Sequence, residues 1–319
     1  MAASSLSPRL QSQFEKTKQA CFGRFVVDVS TEAQLVAGPQ QFGPRIETIA
    51  DGSRSVLALA EKKRIELEGI KHWREPGSLL REVIEGPISN SRTLVFRETP
   101  SATHVEEVWG YLSAPPNGFI YRGSTGADDA TRESEQARLA YIATHLRSRL
   151  PDEVPTDPGV CLDLGFIADD SGKFQEIFGI GFRFPSLPDV SFSVLTNKDA
   201  QTAPPLSQQR REAERAVRGT PLEADYKKVK VLREGKRKVG PWAGEEVLFR
   251  RPPEQGGYHE FQFDYPGIRY DRNNPVIDVS MTSGVKDNRV GAAPVGLTDD
   301  EAIALWDRLL GSLRLRVQP

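Results

Sequence analysis

At 319 residues, with 42 Lys and Arg against 44 Asp and Glu, the chain carries a formal charge of −2, which excludes a nucleic-acid binder that works through bulk positive charge. Its 38% hydrophobic and 27% charged residues are those of a folded globular protein, and no apolar run approaches the roughly 18 residues of a membrane-spanning helix. The length exceeds what one core usually serves, so two domains of about 150 residues are expected.

Residues 1–20 are polar and lack the apolar core of a secretory signal, so they read as a flexible lead, and the sequence as written predicts a cytoplasmic protein. The N-terminal domain is expected over 21–150. It opens with the run Cys21-Phe-Gly-Arg-Phe-Val-Val-Asp-Val29, whose bulky and β-branched residues predict a half-buried strand. A second strand is expected over 42–49 and a helix over 56–73, where Val56, Leu59, Ala60, Ile65 and Ile70 are apolar and Lys62-Lys63-Arg64 forms a solvated face. Strands over 92–98, 106–112 and 119–121, the last after a turn at 115–118, make an antiparallel meander. A helix over 131–150 follows, with Leu139, Ile142, Leu146 and Leu150 on one stripe.

Three prolines within 151–159 predict a semi-rigid linker, and the C-terminal domain is expected over 160–319. Its first strand, Cys161-Leu-Asp-Leu-Gly-Phe-Ile-Ala168, echoes the opening at Cys21, and strands over 174–184 and 190–197 come next. A charged helix is expected over 207–218, then strands over 226–233, 245–251, 258–265 and 276–281, with a charged hairpin at 233–238 and a Gly/Pro turn at 240–244. Thr298-Asp-Asp-Glu301 is a capping box, and Ile303, Trp306, Leu309, Leu310 and Leu313 behind it form an apolar stripe. Each half therefore reads as an α+β domain, an antiparallel sheet covered by helices.

Chemistry is sparse. His72, His104, His145 and His259 show no metal-ligand spacing, and the phosphate-loop, dinucleotide and nucleophile-elbow motifs are absent, so no catalytic, cofactor or metal site is expected. Gly123-Ser-Thr-Gly126 reads as a plain loop, and Asp128-Asp129 and Asp169-Asp170 as turn residues. Cys21 and Cys161 are the two cysteines, 140 positions apart. Two buried thiols acting as small hydrophobes, and a disulfide in an oxidising compartment, are both compatible with that spacing; by loop entropy such a bridge is worth roughly 4–5 kcal/mol. Trp242 beside the basic run 233–238 is the kind of residue that interfaces use, which favours binding over catalysis.

The Cys21-Phe-Gly-Arg opening, Glu245-Glu246 within Gly-Glu-Glu-Val-Leu, Thr282-Ser-Gly284, and the ending from Glu301 to Arg316 resemble the type VI secretion immunity proteins that neutralise phospholipase effectors, the Tli4-like family. The resemblance covers most of the chain through short, structural motifs. It implies a two-domain, two-jawed clamp that grips a cognate lipase effector and blocks substrate access, without cofactor, in the periplasm. The chain departs from the family pattern in showing no signal peptide and in having Ser30 where Pro is common. Under this reading Tyr121, Arg122, Arg237 and Trp242 are expected as exposed loop contacts with the effector. The alternatives from other classes are a hydrolase using Cys21 with a distant histidine, and an envelope scaffold protein without a toxin partner.

Overall fold

The computed structural model describes residues 6–202 and 204–316, which divide into two compact units: a split unit, made of the chain up to Pro39 and from Glu176 on, and an inserted unit, Gln40–Gln175. The chain opens with α1 (Pro8–Gln13), β1 (Thr17–Phe22), β2 (Phe25–Ser30) and β3 (Gln34–Phe42). There follow β4 (Arg45–Ile49), α2 (Val56–Gly69), β5 (Leu80–Glu85), β6 (Arg92–Arg97), β7 (Val105–Ala114), β8 (Asn117–Gly126), α3 (Asp129–His145), β9 (Leu146–Ser148), β10 (Gly159–Leu162) and β11 (Gly165–Ala168). Next come β12 (Glu176–Phe184), β13 (Leu187–Asn197), α4 (Leu206–Val217), α5 (Glu223–Lys227) and β14 (Lys230–Val239). The last elements are β15 (Trp242–Arg250), β16 (His259–Tyr265), β17 (Val276–Thr282), α6 (Asp299–Gly311) and β18 (Arg314–Leu315).

In the split unit, strands in the order β14-β15-β16-β17-β13-β12 form an antiparallel sheet, and β1-β2-β18 form a smaller one. Alternation sends Leu248, Phe261, Phe263, Val279, Met281 and Phe192 to one face, all buried. Helix α6 covers that face, its Trp306 ring 6.0 Å from Phe261 and 6.3 Å from Phe192. The capping box at its start is formed as expected: Thr298 Oγ1 accepts from Glu301 N–H, and Glu301 accepts from Thr298 N–H. Trp306 is fully buried, and burial of this kind costs about 3–5 kcal/mol when truncated to alanine.

In the inserted unit the antiparallel order is β4-β8-β7-β6-β5, with β10-β11-β9 as a small separate sheet. Val56, Ala60 and Leu67 of α2 pack with Leu94, Phe96, Tyr111 and Ile120. The neighbouring residues on the strands face the other way: a Cβ on Gly110 would strike Leu139 of α3, and Tyr121 reaches Glu135 of α3. The two helices therefore cover opposite faces of this sheet.

The α+β character matches the sequence reading, whereas several boundaries differ. Cys21–Val29 is not one strand but a hairpin, in which Phe22 pairs Phe25 and Gly23 takes the positive φ of 49° that a two-residue turn needs. Cys161–Ala168 is likewise a hairpin, turned at Asp163-Leu164. The helix expected to run to Leu150 ends at His145, and Leu146 enters β9. The expected flexible lead contains α1, with Leu10 buried, while residues 1–5 lie outside the described ones. The charged hairpin at 233–238 is the middle of β14, and part of the strand expected over 226–233 is the short helix α5. The division of the chain also falls elsewhere than at 151–159: β18 pairs β2 through Arg314↔Val26 and Leu315↔Phe25, which ties the opening hairpin to the C-terminal end.

Candidate protein-binding surfaces

The residues with catalytic character are locked in structural roles. His259 on β16 places Nδ1 2.9 Å from Ser283 Oγ and Nε2 3.0 Å from Asp299 Oδ1, an acid–imidazole–hydroxyl array that sequence spacing gave no means of finding. Both His259 and Ser283 are fully buried, and Ser283 Oγ already accepts the His259 main-chain N–H at 2.9 Å. Burial holds the imidazole below its ordinary pKa, against the opposing pull of Asp299. Burial raises Asp299 in turn, but Lys230, Arg250 and His259 outweigh it and hold the carboxylate well below the usual range. The array thus pins the first turn of α6 to β14, β15 and β16. His72 is also spent on structure: its Nε2 lies 2.8 Å from Ala102 O, and its Nδ1 accepts from Glu75 N–H at 2.9 Å. Among the described residues no group of three or more His, Cys, Asp or Glu is placed to hold a metal ion.

The four residues expected as exposed loop contacts all lie in strands. Tyr121 on β8 is fully buried and donates from its hydroxyl to Glu135 Oε1 at 2.6 Å; burial first, and Glu135 second, push its pKa far up. Trp242, at the head of β15, is fully buried too, donating from Nε1 to Asn273 O at 3.0 Å and packing on Phe25 at 5.6 Å between ring centroids. The Gly240-Pro241 turn ends just before it, which is why the sequence suggested a loop. Arg122 and Arg237 keep partly exposed side chains, the first over the Trp109 ring at 4.4 Å and 2.5 Å from Glu47, the second 3.0 Å from Asp307. Cys21 in β1 and Cys161 in β10 are both buried, and neither is a free thiol.

Two surfaces have the character of binding sites. On the inserted unit, Leu57, Leu59 and Ile65 of α2 are exposed among its charged residues, and beyond its end Trp73 is 77% exposed. A tryptophan left this exposed is the kind of residue that protein interfaces use.

On the split unit, the sheet face opposite α6 carries a cavity of about 520 Å³ at its α4 end. Pro204, Pro205, Leu206, Tyr265, Pro266 and Val276 supply apolar walls. Across three neighbouring strands the register sets Glu245 beside Asp264 and Asp264 beside Asp278, so three carboxylates stand in a row on this one face. Glu245 caps α4, accepting from Ser207 N–H at 2.8 Å. Asp264 accepts from Gln262 Nε2 at 3.0 Å, and burial together with the neighbouring Asp278 raises its pKa to about 6.

Residues 153–318 match the family described as Tle cognate immunity protein 4 C-terminal domain. Among curated protein sequences, none matches this chain. Solved structures that share the fold include the following three. The apo immunity protein TplEi of the type VI secretion system of Pseudomonas aeruginosa is 24% identical, with a TM-score of 0.81 over 95% of this chain and 98% of that one. The chain matched in the Tle4–Tli4 complex is also 24% identical, with a TM-score of 0.82 over 95% and 98%. TplEi bound to an "L" peptide gives 24%, 0.75, 95% and 99%.

Proposed function

This chain belongs to the family of Tle cognate immunity protein 4 C-terminal domains, and from that membership we propose that it binds a cognate type VI secretion lipase effector and neutralises it by blocking lipid access. The family match over 153–318, more than half of the chain, carries the reading. The surfaces described above agree with it: the exposed Trp73 and the walled cavity beside α4 suit a partner protein, while the His259–Ser283 pair is buried away from any substrate. Among the described residues no helix is long and apolar enough to cross a membrane. We place the protein in the periplasm, where a delivered lipase meets its substrate. A bridge between Cys21 and Cys161 belongs to the same proposal, since that compartment favours disulfides and both sulfurs are buried.

The test is protection in a susceptible bacterial host. A candidate cognate lipase effector is directed to the periplasm, alone or with this chain either exported by an added signal or kept in the cytoplasm. Only the exported form should restore growth. Protection by the cytoplasmic form alone would overturn the compartment, and protection by neither would overturn the function.

A further inference from the structure

Asp264 and Asp278 are a destabilising choice for the floor of an apolar cavity. They are direct cross-strand partners in β16 and β17, and like charges so placed oppose each other. Both are half-buried, which raises the cost of each charge. Among the described residues the group that eases that cost on both is the neutral Gln262 amide, not a cation. Of the three cations that also line the cavity, Lys236 is the cross-strand partner of Glu245, Arg237 is paired with Asp307, and Lys238 is the cross-strand partner of Ala243. An ordinary sheet face would carry a Lys, Thr or Ser at one of these positions, as it does one row away where Ser193 and Ser280 are hydrogen-bonded at 2.8 Å.

Resting on the immunity reading above, we propose that this cavity is the socket for one arginine side chain of the effector. A guanidinium fits its chemistry on both counts. It carries five donors in a plane, enough to serve two adjacent carboxylates at once, and its weakly hydrated faces pack against apolar and aromatic walls such as Pro204, Pro205 and Tyr265. A lysine ammonium, compact and strongly hydrated, would use the charge but not the walls. The bound arginine would supply the missing counter-charge, so the electrostatic cost carried by the free protein is released on binding. That makes the socket selective: a partner presenting a neutral or acidic group there leaves the carboxylate pair uncompensated.

The experiment is binding of the purified cognate lipase effector to the wild-type protein and to Asp264→Asn/Asp278→Asn, which keeps shape and removes both charges. Affinity should fall about 10- to 100-fold in the double variant, the range of a lost charge-assisted contact, while its thermal midpoint stays at or above wild type. Replacing the effector's exposed arginines singly should then reveal one whose loss is as costly with wild type and nearly silent with the double variant, whereas lysine there restores only part of the affinity. If wild type binds and the double variant binds within twofold of it, the socket is wrong and the immunity reading stands. If wild type itself does not bind the lipase, the immunity reading falls and the socket with it.

Discussion

Arg24 and Glu176 form a bidentate ion pair, Nε to Oε2 and Nη2 to Oε1 both at 2.8 Å, with both side chains buried. It joins the turn of the opening hairpin to the first residue of β12, residues 152 positions apart. The arginine of the Cys-Phe-Gly-Arg motif is therefore a fastener within the split unit, and the glycine before it bends the chain so that the fastener can reach. Arg24→Ala should cost about 3–5 kcal/mol in denaturant unfolding because Glu176 is left buried and uncompensated. The joint change Arg24→Met with Glu176→Leu should cost clearly less. Equal losses from both would show that the uncompensated charge of Glu176 is not the source of the cost.

Tyr121→Phe separates stability from binding. Removing the hydroxyl deprives Glu135 of a 2.6 Å hydrogen bond inside the inserted unit, although Arg138 still holds its other oxygen at 2.8 Å. The expected loss is about 1–3 kcal/mol of stability, with effector affinity unchanged within twofold. A large loss of affinity at unchanged stability would return Tyr121 to the interface that the sequence suggested.

What the sequence made legible was what is local. The capping box and apolar stripe of α6, and the alternation of β15 to β17, are written in residues three or two apart, and the structure carries them as read. What it hid depends on distant partners. Gly23 inside an apolar run looks like one strand until Phe22 is seen to pair Phe25. The split of the first unit between the two ends of the chain comes from β2 meeting β18 and Arg24 meeting Glu176. The candidate socket was invisible for the same reason, since Glu245, Asp264 and Asp278 become neighbours only through strand register.

Asp264 gives the stability a pH dependence with a definite sign. Its pKa rises from about 3.9 in an unfolded chain to about 6 in the fold, so the folded state binds the proton more tightly. The stabilisation this provides is complete below about pH 4 and is lost as pH rises through about 6. Asp264→Asn keeps an oxygen for Gln262 and removes the charge. It should stabilise the protein by about 1–2 kcal/mol at pH 7.5, after discounting for its partial exposure, with the gain shrinking towards zero near pH 4. A gain that is the same at both pH values would show that ionisation of Asp264 is not its source.

Bridging of Cys21 and Cys161 predicts that iodoacetamide leaves the intact mass of the unfolded, unreduced protein unchanged and adds two groups after reduction. Reduction should also lower stability by about 2–4 kcal/mol, below the entropic ceiling for so long a loop. Alkylation of both sulfurs without reductant would refute the bridge.

Silencing of a lipase by a protein that occupies it has a stoichiometric signature. The most direct measurement is phospholipid hydrolysis by the purified cognate lipase effector, titrated with the purified chain. Hydrolysis should fall in proportion to added protein and be abolished near one equivalent. Full hydrolysis in the presence of a large excess would contradict it.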